Sequence, residues 1–159
     1  MVRVLCLLMV SLAAACGDSA CRVSSGPWAP FANPYLDGGT NPAASLAGKV
    51  TTCSGDPGMT VSLAVTGTEP NRMYGAHVHV LACDAGAGGH YRNDADAGAT
   101  ATNEVWLDFM SDAKGAGTAL ATTSWPIHTG KAHSVVIHDH TTAAGGAAGA
   151  KLTCIDVGF

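Results

Sequence analysis

Residues 59–67 alternate between apolar and polar or small side chains, and this period of two constrains the fold more than any other feature of the chain. The segment reads MTVSLAVTG, so Met59, Val61, Leu63 and Val65 occupy every second position. Successive side chains of a β-strand point to opposite faces of its sheet, which gives this period. The segment therefore predicts a half-buried strand.

Short runs of the same kind recur along the chain. They read GKVTTC, AHVHVL, EVWLDF, GTALATTS, HSVVIHDH and KLTCIDVGF, and between them lie SGDPG, GTEPN, SDAKGAG and TTAAGGAAGA. The intervening segments are rich in the residues that form turns. No long window has apolar residues at helical spacing. The sequence predicts an all-β fold, an antiparallel sandwich or barrel.

The N-terminus has the features of an export signal. Arg3 is followed by an apolar run over residues 4–15 and by small residues directly before Cys16. The run is too short for a membrane span, and the small residues before the cysteine resemble a bacterial lipobox. We expect a signal peptide at residues 1–15, cleavage before Cys16 and lipidation of its sulfur, with ordinary secretion as the alternative. The mature protein is then expected in the bacterial cell envelope or periplasm, held to a membrane by the lipid.

Residues 16–45 are predicted to be a tether, and residues 46–159 the folded domain. The tether contains four of the seven prolines, with scattered glycine and serine. Its aromatic residues are candidates for packing against the domain: Trp28, Phe31 and Tyr35.

The charge balance is acidic. The formal net charge is −4, and it becomes −5 without the signal peptide, because Arg3 is the only charged residue in that segment. An acidic protein repels the phosphate backbone, so nucleic acid is not expected as a partner.

Four cysteines remain once Cys6 in the signal peptide and Cys16 are set aside: Cys21, Cys53, Cys83 and Cys154. An even number in an exported chain indicates two disulfides. Four cysteines can pair in three ways, of which we favour Cys83 with Cys154 and Cys21 with Cys53.

Histidines are the candidates for metal ligands. His77 and His79 lie two positions apart on a predicted strand and therefore share a face, although His-X-His alone also occurs in ordinary strands. A glycine-rich loop then returns at AGGHY with His90, and SVVIHDH supplies His138 near the end of another strand. Four imidazoles without a cysteine ligand suit copper in both oxidation states, or zinc.

These motifs occur in an order that resembles the copper/zinc superoxide dismutase family. From about residue 48 the shared features are GAHVHV, a cysteine in the following loop, GGHY, a turn of the type SDAKGAG, SVVIH and the terminal AGAKLTC. The resemblance implies a Greek-key β-sandwich of about eight strands. It also implies that His77, His79, His90 and His138 hold copper and that Cys83 and Cys154 form a disulfide.

The chain departs from the family at the second metal. The family's zinc ion uses the bridging histidine, here His90, with two further histidines and an aspartate, but no histidine lies between His90 and His128. Zinc is therefore not expected, as in the copper-only branch. Glu104 is the favoured partner for the other nitrogen of His90. Asp108 and Asp94 are weaker alternatives.

Two more departures lie near the C-terminus. The segment DHTTAAGGAAGA is short and nearly uncharged where the family has a long charged loop, and Lys151 replaces the active-site arginine. Lysine keeps the positive charge but loses the rigid fork of donors, so looser anion binding is expected. His140 could in principle replace His138 as a ligand, whereas His128 and His133 are expected to be solvated or structural.

The function implied by the resemblance is dismutation of superoxide to dioxygen and hydrogen peroxide at one copper ion. Copper is the expected cofactor and the superoxide anion the substrate. His90 is the candidate for proton delivery, Glu104 for restoring its position and Lys151 for anion attraction. The alternative is an envelope lipoprotein that binds or buffers copper without turnover. The resemblance is compatible with a homodimer and with a single-chain form.

Overall fold

The computed structural model describes residues 20–32, 41–55 and 57–159. The predicted signal peptide and Cys16 lie outside these ranges. The strands are β1 (Cys21–Ser24), β2 (Ala29–Pro30), β3 (Ala47–Ser54), β4 (Met59–Thr66), β5 (Met73–His79), β6 (Phe109–Met110), β7 (Gly117–Thr123), β8 (Ser134–His138) and β9 (Lys151–Asp156). A short 3-10 helix covers Cys83–Ala85. Within the described ranges, no helix has the length and apolar character needed to cross a membrane.

The strands form two antiparallel sheets. One has the order β1-β3-β4-β7 and the other the order β2-β9-β8-β5-β6. In the second sheet β8 lies beside β5, while β7, which precedes β8 in the chain, belongs to the first sheet. This is the crossover expected of a Greek key. The predicted β-sandwich is confirmed, and the sheets do not close into a barrel.

The period of two in the sequence reports which side chains face the core. In β4 the residues Met59, Val61, Leu63 and Val65 are buried between the sheets, whereas the residues between them are partly exposed. Burial of such side chains supplies most of the favourable free energy of folding.

The central strands of the second sheet are covered on both faces. In β8, Val135 and Ile137 pack into the main core, whereas Val136 packs on the other face against Ala87 and Cys154. That outer face lies beneath the loop after β5 and the loop between β8 and β9. It is also the face to which the histidines of β5 and β8 point, because they alternate with core residues.

Both favoured disulfides are present. Cys83 pairs with Cys154 across 71 positions and ties the loop after β5 to β9. Cys21 pairs with Cys53 across 32 positions and joins directly opposed residues of β1 and β3.

Part of the segment predicted as a tether belongs to the sandwich. β1 pairs with β3, β2 pairs with β9, and the Trp28 side chain is buried in the main core. The prolines that indicated a tether are compatible with these positions, because Pro30 lies on an edge strand where no amide hydrogen is required. The folded domain therefore extends N-terminally to residue 21.

The run EVWLDF, residues 104–109, does not form the continuous strand that its alternation predicts. Glu104 bridges to Arg92 and Trp106 to His77 as isolated pairs, and regular pairing begins only at Phe109. This segment forms separate backbone hydrogen bonds to β5, for example from the Leu107 amide to the Ala76 carbonyl. The break in regular pairing coincides with the position from which Glu104 reaches His90.

Candidate metal centre

Four imidazoles meet on the outer face of the second sheet. His77 and His79 extend from β5, His138 from the end of β8, and His90 from the segment after the glycine-rich loop. One ring nitrogen of each lies within 4.8 Å of the others. The rings of His77, His79 and His138 are buried, and the His90 side chain is 17% exposed. The structure thus brings together the four residues that the sequence singled out.

Each of the four rings has one nitrogen that points away from this group, and that nitrogen has a hydrogen-bond partner. His79 Nδ1 lies 3.1 Å from the Gly88 carbonyl oxygen, and His138 Nδ1 lies 3.3 Å from that of Gly149. A carbonyl oxygen can only accept, so in each neutral ring Nδ1 carries the proton and Nε2 keeps a lone pair. Such partners fix the orientation of metal-binding imidazoles.

Glycine is required at both carbonyls. Gly88 and Gly149 have left-handed backbone conformations, with φ of 66° and 76°. A Cβ on Gly88 would lie 2.9 Å from Leu81 Cγ, and one on Gly149 would lie 2.8 Å from His140 Nδ1. The two glycines let the loops turn so that their carbonyls face the rings.

A metal ion fits the nitrogens that remain. His79 Nε2 and His138 Nε2 are 3.1 Å apart, and with both Nδ1 atoms protonated these are two facing lone pairs. His77 Nδ1 is buried and has no hydrogen-bond partner in the described structure. A cation placed among these atoms would remove the repulsion and satisfy the unpartnered nitrogen. The group could therefore hold a metal ion through imidazole nitrogens.

Glu104 is the partner of His90. Its Oε2 lies 3.0 Å from His90 Nδ1 and also accepts a hydrogen bond of 2.8 Å from the indole N–H of Trp106. The Glu104 residue is only 3% exposed. The two weaker alternatives to Glu104 as partner of His90 form hydrogen bonds with other groups. Asp94 accepts one from the Asp96 amide, and Asp108 accepts one from the Thr142 hydroxyl.

Lys151 lies beside the group but is bound to the glycine-rich loop. Its Nζ donates to the carbonyl oxygens of Gly86 and Gly88, at 2.8 and 2.5 Å. Burial lowers its pKa. The side chain therefore braces the carbonyl that orients His79, a contact that the sequence did not predict.

The remaining histidines lie outside the group. The His140 side chain is 71% exposed, and its Nδ1 lies 3.1 Å from Asp139 Oδ2. His128 and His133 are also exposed. His138 is therefore the residue of SVVIHDH that joins the other rings.

Burial keeps the rings of His77, His79 and His138 neutral. Desolvation, reinforced by the neighbouring imidazoles, lowers the pKa of His77 from 6.5 to about 2 and that of His79 to about 3. Desolvation likewise lowers the pKa of His138 to about 4. Neutral imidazole is the form that binds metals, so the site is prepared for a cation at neutral pH.

Acid should destabilise the metal-free protein. The unfolded chain takes up protons at these histidines as the pH falls below about 6.5, whereas the folded protein resists protonation until about pH 4 or lower. Stability is therefore fully present above pH 6.5 and is lost on acidification, by up to about 1.4 kcal/mol per pH unit for each histidine. Urea unfolding of metal-free protein at pH 7.5 and pH 5 measures this. His128→Ala, which changes an exposed histidine, should keep the same pH dependence. Equal stability at the two pH values would contradict the prediction.

Four participants in the site were not among the residues predicted from the sequence. Thr142, whose hydroxyl oxygen lies 2.7 Å from His77 Nε2, belongs to an alanine- and glycine-rich loop. Trp106 resembles an ordinary strand residue, and Gly88 and Gly149 act through their carbonyls. Only the positions of glycines in the two loops gave an indirect sign that the backbone approaches something closely.

No protein-family model matches this chain, and no match to it was found among curated proteins. What the structure supports is a four-histidine group that could hold a metal ion.

Proposed function

We propose that this protein is a copper-dependent superoxide dismutase that works with a single metal ion, like the copper-only members of the family it resembles. The observation that carries the proposal is the convergence of four imidazoles whose outward nitrogens are all occupied by protein partners. That arrangement leaves one inward nitrogen on each ring for the same ion.

The ligand chemistry is compatible with copper, and the choice of copper over zinc follows from the resemblance of the sequence to the copper-only branch of the family. The group consists of imidazoles alone, which suit copper and zinc. Glu104 occupies the outward side of His90, where the family binds its second metal, and this supports a site with one ion. Two disulfides are typical of proteins exported to an oxidising compartment and support placement in the cell envelope. The lipid at Cys16 is proposed from the sequence of the export signal alone.

When bound, copper supplies a one-electron couple by which one superoxide is oxidised to dioxygen and a second, with two protons, is reduced to hydrogen peroxide. The protein's own groups have separate tasks in that reaction. His90 is the ring of the four whose side chain is partly exposed, so it is the one suited to exchange a proton with solvent. Glu104 holds its Nδ1 and returns the ring to one orientation. The Lys151 ammonium, near His79 and His138, adds positive charge that attracts an anion.

Purified mature protein loaded with copper alone tests the proposal. We expect rapid loss of superoxide with formation of dioxygen and hydrogen peroxide, without added zinc. Glu104→Gln should lower activity by about 10- to 100-fold, as loss of such a partner typically does. Asp96→Asn, an exposed acid outside the site, is the matched control.

A copper carrier is the second candidate, favoured by one observation. Both hydrogen bonds of Lys151 Nζ go to loop carbonyls, which restrains the charge that would attract the substrate. Tight copper binding without superoxide loss would favour the carrier and reject the enzyme. Failure to bind copper would reject both.

A further inference from the structure

The outward nitrogen of His77 is bound differently from those of the other three rings. Its Nε2 lies 2.7 Å from the Thr142 hydroxyl oxygen, and that oxygen lies 2.7 Å from Asp108 Oδ1. Thr142 belongs to the loop between β8 and β9, and Asp108 directly precedes β6. A hydroxyl thus stands between a metal-ligand candidate and a carboxylate on another part of the chain.

Of its two neighbours, His77 and Asp108, the Thr142 hydroxyl can donate its proton only to Asp108. A carboxylate only accepts, and Asp108 already receives the Thr142 amide at Oδ2 and the Ala76 amide at Oδ1. If the Thr142 hydroxyl donated to His77, two acceptor oxygens would face each other at 2.7 Å without a proton between them. The hydroxyl therefore donates to Asp108 and accepts from His77 Nε2–H.

We propose that Thr142 and Asp108 form a relay that holds His77 in its Nε2-protonated tautomer and makes Nδ1 its metal-binding nitrogen. The relay explains why His77 Nδ1 is the buried atom without a partner, while the other three rings present Nε2. Thr142 is a positioning residue, since it acts through His77. The inference rests on the metal centre of the proposed function and not on superoxide turnover.

The relay depends on how closely the loop approaches β5. A Cβ on Gly75 would lie 2.4 Å from the His140 carbonyl oxygen and 2.8 Å from Ala148 Cβ, so only glycine admits the loop here. The loop is also anchored at its start, where the Asp139 carboxylate pairs with Arg72. Gly75, Asp108 and Arg72 together set the position from which the Thr142 hydroxyl reaches His77.

Nuclear magnetic resonance of metal-free protein tests the tautomer directly. Long-range proton–nitrogen spectra of histidine rings distinguish a proton on Nε2 from one on Nδ1. We expect His77 to carry its proton on Nε2, and His79, His90 and His138 to carry theirs on Nδ1. A proton on Nδ1 of His77 in the wild-type protein would overturn the relay.

Variants of Thr142 test its effect on the metal. Thr142→Val removes the acceptor at similar size and should weaken copper binding by about 10- to 100-fold, measured by competition with a chromophoric chelator. It should also change the Cu(II) electron paramagnetic resonance spectrum. Thr142→Ser should restore both, and Thr141→Val, at an exposed neighbour, should change neither.

The results of these experiments distinguish a failure of the proposed relay from a failure of the proposed enzyme activity. Unchanged copper affinity and spectrum in Thr142→Val would overturn the relay whatever the activity of the protein. A wild-type protein that binds copper with the expected tautomers but does not consume superoxide would reject the proposed enzyme and support the relay.

Discussion

Replacing His138 by alanine should abolish tight copper binding and, with it, superoxide dismutation. His138 is buried, and its Nε2 faces His79 Nε2 at 3.1 Å, so its removal deletes one of four converging donors and opens space in the site. Loss of a direct ligand should cost more than loss of an outer partner, so we expect at least about 100-fold weaker binding. Copper content after dialysis and superoxide consumption measure the two effects.

The matched control is His140→Ala. His140 lies two positions further along the chain, is exposed and is not part of the group. Copper content and activity should therefore equal those of the wild-type protein. If His140→Ala lost copper while His138→Ala retained it, the ligand role would pass to His140 and the described geometry of the site would be wrong.

Removing the Cys83–Cys154 disulfide by a double alanine substitution should cost about 4 kcal/mol of stability, as expected for the loop-closure entropy of such a long loop. It should also weaken copper binding, because Cys83 begins the loop whose Gly88 carbonyl orients His79. Urea unfolding and copper competition measure the two effects.

The second disulfide offers a control of similar size in the same molecule. Cys21 and Cys53 join strands of the opposite sheet. Their replacement by alanine should cost a comparable amount of stability by the same entropic argument, yet leave copper affinity unchanged. Equal copper affinity in both double variants would show that the Cys83–Cys154 link does not position the site.

The sequence predicted the parts of this protein whose positions follow from local periodicity. Alternation identified β4 and its inward residues, and His77 and His79 share a face because two positions on a strand always do. The meeting of these rings with His90 and His138 came from the ordered set of motifs, since no local rule relates positions so far apart in the chain.

The features that the sequence did not predict depend on how loops and terminal segments fold back onto the sheets. β1 and β2 lie in a segment whose prolines and glycines indicated a tether, and pairing with β3 and β9 overrides that local tendency. The contact of Thr142 with His77 depends on the turn of the loop between β8 and β9, about which its alanines and glycines say little. Glycine at positions 88 and 149 indicates only that the backbone turns closely there, and residue type does not show that the two carbonyls face imidazole rings.

The covering of β8 on both faces has a consequence for how a metal would enter and leave. Three of the four candidate ligands project from β5 and β8, whose hydrogen bonds lie in the middle of the second sheet. The groups that orient these three rings lie in the two loops above them. Segments with few ladder bonds open at a lower free energy than central strands. We therefore expect a bound ion to exchange through transient opening of the loops, and the amide hydrogens of β5 and β8 to stay protected from deuterium until the whole domain unfolds.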